Sequence, residues 1–218
     1  MARYVQLTPC QNCGSSDANA EYSDGSSYCF SCRKYTPPSF RLKQQIVEEV
    51  RGEKSLTLSP TLPLVAKQWL RKYGLTEQET SAYGWNDYYD LCYPLPDGGW
   101  VCRGFGKGWK YRVIGKRTFP IFFNSSSQTI VFTEDIVSAI KVSRHSTAIP
   151  LLGCSVQTEH LTLANKYGKV FKLWLDPNKR KEAIQQCLRL RSLGVNITPI
   201  FSEADPKELS DKEIKEKL

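Results

Sequence analysis

The sequence predicts an α/β chain in two unequal parts: a small β unit at the front, then a larger unit in which strands and helices alternate. Three observations carry this expectation. Two C-x-x-C pairs fall within the first 32 residues, a glycine- and aromatic-rich hairpin region occupies the middle, and from Thr129 onward apolar runs alternate with helical segments. A length of 218 residues allows one ordinary core with one small satellite. A hydrophobic content of 40% and a charged content of 24% describe a soluble globular chain, not a disordered or fibrous one. No apolar run approaches membrane-spanning length, and the start "MARYVQLTPC" lacks the apolar core of a signal peptide. The expected setting is therefore a reducing cytoplasm, with no membrane partner.

The front unit is defined by Cys10, Cys13, Cys29 and Cys32, spaced C-x2-C-x15-C-x2-C. Two tight knuckles at that spacing bring four thiolates to the corners of one tetrahedron, which is the arrangement of a zinc ribbon. The alternative, a redox dithiol, normally shows one C-x-x-C beside a βαβ pattern. Between the pairs, "AEYSDGSSYCF" reads as two short strands around a Ser23-Asp24-Gly25 turn. So small a unit buries too little to fold unaided, and one structural Zn²⁺ supplies the deficit. Cys92, Cys102, Cys154 and Cys187 are scattered and read as small buried apolar residues.

A ribbon over 1–36 is followed by a polar stretch over 37–60, "FRLKQQIVEEVRGEKSLTLSP" at its heart, which reads as a linker with one frayed helix. "LVAKQWLRKYG" then has helical spacing and a stop at Gly74, and "TEQE" is a capping box that opens a second helix. In "LCYPLPDGGWVCRGFGKGWKYRVIGKRTFPIFF", Asp97-Gly98-Gly99 makes a hairpin turn. No acid occurs between Asp97 and Glu134, while Arg103, Lys107, Lys110, Arg112, Lys116 and Arg117 alternate with Trp100, Phe105, Trp109 and Tyr111. A basic face with interleaved aromatics suits phosphates and bases, the alternative being a solvated sheet face over ordinary core aromatics. The net charge of +8 is consistent with a polyanionic partner.

In the last part, "TIVFTE", "AIPLLG", "VFKLWLD" and "ITPIFS" each lead into a helical segment, which predicts a compact unit with a mostly parallel sheet. Ligands collect at the carboxyl ends of such strands. Glu134, Asp176 and Asp205 stand there, and three carboxylates converging from three strand ends suit a hard cation such as Mg²⁺. Two of them have a plainer explanation. Asp176 before Pro177 has the form of a helix N-cap, and Asp205-Pro206 that of a turn opener. Glu134, directly after an apolar strand, needs a partner in a half-buried place.

Taken together, these residues resemble the DnaG-type primases and, more closely, the primase region of bacteriophage primase-helicases. "CQNCGSSD" and "SDGSSYCFSC" are similar to the phage ribbon, "WLRKYGLTEQETSAYGW" to the helical opening of the polymerase core, and "YPLPDGGWVCRGFGKGWKYR" to its basic subdomain. "VFTEDIVSAIKV", "LWLDPNKR" and "EADPKEL" resemble the three acidic motifs of the TOPRIM fold. The resemblance covers almost the whole chain in order. It implies a fold of an N-terminal zinc ribbon, a basic α+β subdomain over 61–127 and a TOPRIM α/β domain over 128–218. The implied reaction is Mg²⁺- or Mn²⁺-dependent synthesis of short RNA primers from ribonucleoside triphosphates on single-stranded DNA during replication. Glu134, Asp176 and Asp205 would be the catalytic set and magnesium ligands. Arg103, Lys107, Lys110, Arg112 and Lys116 would bind nucleotide and template.

Two positions depart from the family. Ser138 stands where a further acid follows the glutamate by one helical turn, and Asp176-Pro177-Asn178 stands where the family has Asp-x-Asp. Neutral Ser and Asn weaken a magnesium site, and Asp135, adjacent to Glu134, points elsewhere if a helix starts there. No P-loop occurs, so the expected helicase is a separate protein, unless the chain is an excised piece. The competing reading is a non-catalytic single-stranded DNA-binding or recombination-mediator protein that also joins a four-cysteine site to a TOPRIM domain. Such proteins place a helical segment before the zinc site, whereas here the ribbon comes first. By resemblance the source is viral and the setting host cytoplasm.

Overall fold

A computed structural model describes residues 3–10, 12–37, 58–86, 90–105, 110–168 and 170–218. The chain divides into two compact units, Met1–Leu56 and Thr57–Leu218. The expected linker helix, together with most of the 37–60 stretch, lies outside the described residues.

The first unit is a four-stranded antiparallel sheet in sequence order: β1 (Tyr4–Thr8), β2 (Asn19–Tyr22), β3 (Ser27–Cys29) and β4 (Tyr35–Thr36). The Ser23-Asp24-Gly25 turn joins β2 to β3. Gly25 adopts φ +77°, and Asp24 accepts hydrogen bonds from the Ser26 N–H and hydroxyl at 2.9 and 2.6 Å. Tyr4, Val5, Leu7 and Tyr35 are exposed, so the sheet buries little besides Ala20 and cysteines. Four short strands with so few buried residues do not sustain themselves.

The second unit opens with α1 (Leu64–Lys72), which ends at Gly74 with φ +68°. In the capping box of α2 (Glu77–Thr80), Thr76 and Glu79 each bond the other's backbone N–H. An antiparallel sheet follows: β5 (Gly84–Asn86), β6 (Asp90–Pro94), β7 (Trp100–Gly104) and β8 (Tyr111–Ile114). The β6–β7 turn uses Gly98 at φ +84°, and a Cβ on Gly99 would lie 2.0 Å from the Lys116 carbonyl oxygen, so the hairpin closes only around glycine there.

The remaining strands, β9 (Thr129–Thr133), β10 (Thr147–Pro150), β11 (Val170–Trp174) and β12 (Ile197–Pro199), form a parallel sheet of order β10-β9-β11-β12. Its helices are α3 (Ile136–Ser143), α4 (Thr158–Ala164), α5 (Arg180–Ser192) and α6 (Asp211–Lys217). Both faces are covered, which is why "TIVF" reads as a continuous apolar run. Ile130 and Phe132 join one core with Ala164, Ala183 and Cys187, while Val131 joins the opposite one with Ala139, Val142 and Ile214. A third core packs Ala66 and Leu70 of α1 and Leu91 of β6 against Ile136, Val137 and Ile140 of α3. The antiparallel and parallel sheets are thereby held together through α3. No described helix is long and apolar enough to cross a membrane. The fold class is the expected one, mixed α/β with an N-terminal strand unit around a cysteine cluster.

Candidate metal centre and acidic cavity

Cys10, Cys13, Cys29 and Cys32 bring their Sγ atoms within 4.8 Å of one another, with Cys10–Cys32 at 3.8 Å and Cys13–Cys29 at 3.7 Å. All four are free thiols. A tetrahedron with metal–sulfur arms of about 2.3 Å has edges of about 3.8 Å, so the donor set fits zinc in size and in ligand chemistry. Backbone knuckles create the spacing. Gly14 N–H donates to the Cys10 carbonyl at 2.9 Å, and Cys29 N–H donates to the Lys34 carbonyl at 2.9 Å across the left-handed Arg33. Knuckle N–H groups also favour thiolate. Those of Cys13 and Asn12 lower the Cys10 thiol, and the Lys34 N–H and Asn12 side chain lower Cys32 to about 6.

In the second unit, Glu134, Asp135, Asp176 and Asp205 border one cavity of about 760 Å³. Glu134 directly follows β9, Asp176 follows β11, and Asp205 lies beyond β12, so the acids come from the carboxyl ends of three adjacent parallel strands. Glu134 finds its required partner in the Asp176 backbone N–H, which donates to Oε1 at 2.9 Å. Burial raises the Glu134 carboxyl. Asp176 is pushed up to about 6, first by burial and then by the charges of Glu134 and Asp205 against the lowering effect of Lys207.

Asp205 opens a turn, as its pairing with Pro206 implied, whereas the N-cap reading of Asp176 is not carried by its side chain. Asp176 and Asp205 each precede a 3-10 turn, Pro177–Lys179 and Pro206–Glu208, but neither side chain makes a capping hydrogen bond. Asp176 Oδ1 is buried without a hydrogen-bond partner among the described residues, and Asp205 is paired at 2.7 Å with Lys207. An orphaned carboxylate oxygen beside other acids fits an oxygen-seeking divalent cation. Asp135 caps α3 through the Ser138 N–H at 2.9 Å, but contrary to expectation it does not point elsewhere: it borders the cavity and its other oxygen meets Lys207 at 2.8 Å. Sequence reading passed over Lys207 altogether. The available signal was a lysine two residues beyond Asp205, within reach of the same strand ends.

The opposite wall of the cavity comes from α1 and the antiparallel sheet, and includes Trp69, Arg103, Lys110 and Tyr111. The Arg103 guanidinium lies 4.6 Å from the Trp69 ring, 5.1 Å from Tyr111 and 5.5 Å from Phe105. Lys110 is exposed and has no ion pair among the described residues. The other expected basic residues are arranged differently. Strand alternation puts Arg112 on the face of Asp90, Cys92 and Cys102, opposite to Arg103, and Arg112 pairs with the buried Asp90 at 2.8 Å while its residue still borders the cavity. Lys116 pairs with Asp97 at 2.9 Å in the hairpin turn and does not line the cavity. Arg117 donates to the carbonyls of Leu151 and Leu152. Lys107 lies outside the described residues.

Among solved structures, the chain is similar to the primase fragment of the bacteriophage T7 primase-helicase. That likeness covers 99% of this chain and 100% of the other, with a TM-score of 0.51 and 18% identity. It is also similar to the zinc-binding and RNA polymerase domains of the Aquifex aeolicus primase, over 99% of this chain and 78% of that one, with a TM-score of 0.55 and 13% identity. The fold is therefore the one seen in those primase structures, a cysteine ribbon followed by a core of antiparallel and parallel sheets. In sequence, 29 residues are 59% identical to the DNA helicase/primase of Enterobacteria phage T3, a match spanning 13% of this chain and 5% of that protein. No protein-family model matches.

Proposed function

We propose that this chain is a DNA primase, a nucleotidyltransferase that builds short RNA primers from ribonucleoside triphosphates on a single-stranded DNA template. The single observation that carries this reading is the cavity. One wall presents Glu134, Asp176 and Asp205 from three parallel strand ends of a TOPRIM-type sheet, and the other presents Arg103, Lys110 and aromatic rings. Primer extension needs both, because a triphosphate must be held by cations while the reacting phosphate and hydroxyl are brought into line.

Glu134, Asp176 and Asp205 would hold Mg²⁺, with Mn²⁺ as the substitute. The ion supplies Lewis-acid neutralisation of phosphate charge when bound. The protein's own share is placement. Glu134 is oriented by the Asp176 N–H, and Asp176 Oδ1 is left free of protein donors among the described residues. Lys110 and Arg103 reach the same cavity from the opposite side, in position to bind phosphates, and the Trp69 and Tyr111 rings beside Arg103 offer stacking faces to bases. The four cysteines hold structural zinc in a ribbon that helps select the template site. A replicative helicase is the expected partner, a reading supported by the short match to a phage helicase/primase.

The test is incubation of the protein with single-stranded DNA, Mg²⁺ and labelled ribonucleotides. Short labelled RNA supports the proposal. Binding without product supports the non-catalytic single-stranded DNA-binding or recombination-mediator alternative, which the neutral Ser138 and Asn178 favour. Cut DNA indicates a nuclease.

A further inference from the structure

Lys207 borders the cavity and is paired with two of its acids. Its ammonium donates to Asp135 Oδ2 at 2.8 Å and lies 2.7 Å from Asp205 Oδ2, and its side chain is only 11% exposed. The turn that carries it is anchored from behind. Lys141, itself buried in α3, donates to the Lys207 carbonyl at 3.1 Å and to the Leu209 carbonyl. A backbone fixed in this way presents the ammonium in one place instead of letting it swing into solvent.

Five carboxylates border the cavity, Glu134, Asp135, Asp176, Asp205 and Glu208, and they carry more negative charge than one divalent ion offsets. In many phosphoryl-transfer sites the excess is met by a second metal ion about 3.5–4 Å from the first. Here a lysine already occupies two of the five acids. Among the described residues neither Glu134, whose Oε1 accepts from the Asp176 N–H, nor Asp176, whose Oδ1 is orphaned, makes an ion pair, and Glu208 makes none either.

Resting on the primase reading of this cavity, we propose that Lys207 is a built-in cation that takes the place of one divalent ion. It draws Asp135 and one oxygen of Asp205 away from metal, so the cavity holds a single ion on Glu134 and Asp176 with the remaining oxygen of Asp205. Lys207 is on this view a positioning and specificity-determining residue, setting how many metal ions the site accepts. The lysine also bears on Ser138 and Asn178: with fewer acids and one built-in cation, less metal charge is needed at the site.

The experiment counts Mn²⁺ bound to the full chain by electron paramagnetic resonance, in the parent, Lys207→Gln, Lys207→Arg and Glu134→Gln proteins, each with its zinc in place. The parent is expected to bind one Mn²⁺ that Glu134→Gln removes. Lys207→Gln is expected to bind that ion at least about tenfold more tightly or to accept a second, since a like charge a few ångströms away has been removed. Lys207→Arg is expected to match the parent. Unchanged affinity and stoichiometry in Lys207→Gln, while Glu134→Gln loses its ion, overturns the role of Lys207 and leaves the metal reading intact. Two Glu134-dependent ions on the parent overturn it without any Lys207 variant, which covers the case in which Lys207→Gln does not fold. No Glu134-dependent Mn²⁺ on the parent or on Lys207→Gln removes the metal reading as well.

Discussion

Glu134 and Asp176 differ in what they contribute, and substitution separates the two contributions. Glu134→Gln keeps an oxygen to accept the Asp176 N–H but loses the charge, so primer synthesis is expected to fall at least about a hundredfold with zinc content and melting temperature near parental. Asp176 is costly to the fold. Its carboxyl is pushed up to about 6 by burial and neighbouring acids, so its protonated form favours the folded state and that contribution is lost as pH rises from the ordinary aspartate range through about 6. Asp176→Asn is therefore expected to raise the metal-free melting temperature at pH 7 while lowering Mg²⁺-dependent synthesis. A thermal scan beside a primer assay checks both, and a variant that melts lower with full activity refutes the assignment. The basic residues separate in the same way. Arg112→Ala leaves the 1%-exposed Asp90 short of a charged partner and is expected to cost about 1–3 kcal/mol in denaturant unfolding. Arg103→Ala with Lys110→Ala is expected to weaken single-stranded DNA and nucleotide binding and flatten its salt dependence, whereas Lys116→Ala changes neither.

At the scale of elements, the ribbon and the parallel sheet are stabilised by different means. The β1–β4 sheet leaves Tyr4, Val5, Leu7 and Tyr35 exposed, and a metal held by its four thiolates would supply what burial does not. Chelation of zinc is expected to abolish the ribbon's dispersed amide resonances in NMR while those of β9–β12 stay where they are, because the larger unit has its own cores. Concerted loss of both sets under chelation refutes this. Several elements of the larger unit were legible from local chemistry, though β5 was not. Gly74 stops α1, Thr76 and Glu79 box α2, Asp97-Gly98-Gly99 turns the β6–β7 hairpin, and "TIVFT" is apolar throughout because both faces of β9 are covered. The side-chain fates of Asp176 and Asp205 were not legible. A capping aspartate and one whose side chain enters a cavity have the same local sequence, and only the neighbouring strand ends distinguish them.

Across the larger unit, one guanidinium ties together elements far apart in sequence. Arg144, at the end of α3, donates to Glu79 at 2.7 and 2.8 Å, to Asp211 at 2.9 and 3.0 Å and to the Gly74 carbonyl at 2.9 Å. Burial raises the Glu79 carboxyl, but hydrogen bonds from Arg144 and Thr76 outweigh it and leave it below the ordinary glutamate range. A depressed carboxyl contributes stability that is present above its unfolded pKa and is lost as pH falls through the folded value. Arg144→Met is therefore expected to lose about 1–3 kcal/mol at neutral pH, with the gap from the parent narrowing in acid. Urea titrations from pH 7 down to pH 3 measure it, and a gap that does not narrow assigns the loss to packing alone.

By itself, the sequence determined what depends on neighbours along the chain: the knuckle spacing of Cys10, Cys13, Cys29 and Cys32, the caps and turns, the apolar strands and the position of Glu134 at a strand end. Tertiary structure decided which charges meet. It turned Arg112 to Asp90 and Lys116 to Asp97, left Arg103 and Lys110 at the cavity, and set Lys207 between Asp135 and Asp205, 72 residues apart in the first case. The reason is physical: caps and turns are satisfied by backbone groups within a few residues, whereas a charge at a strand end is satisfied by whatever adjacent strands bring beside it, and strand order is set by packing of the whole sheet.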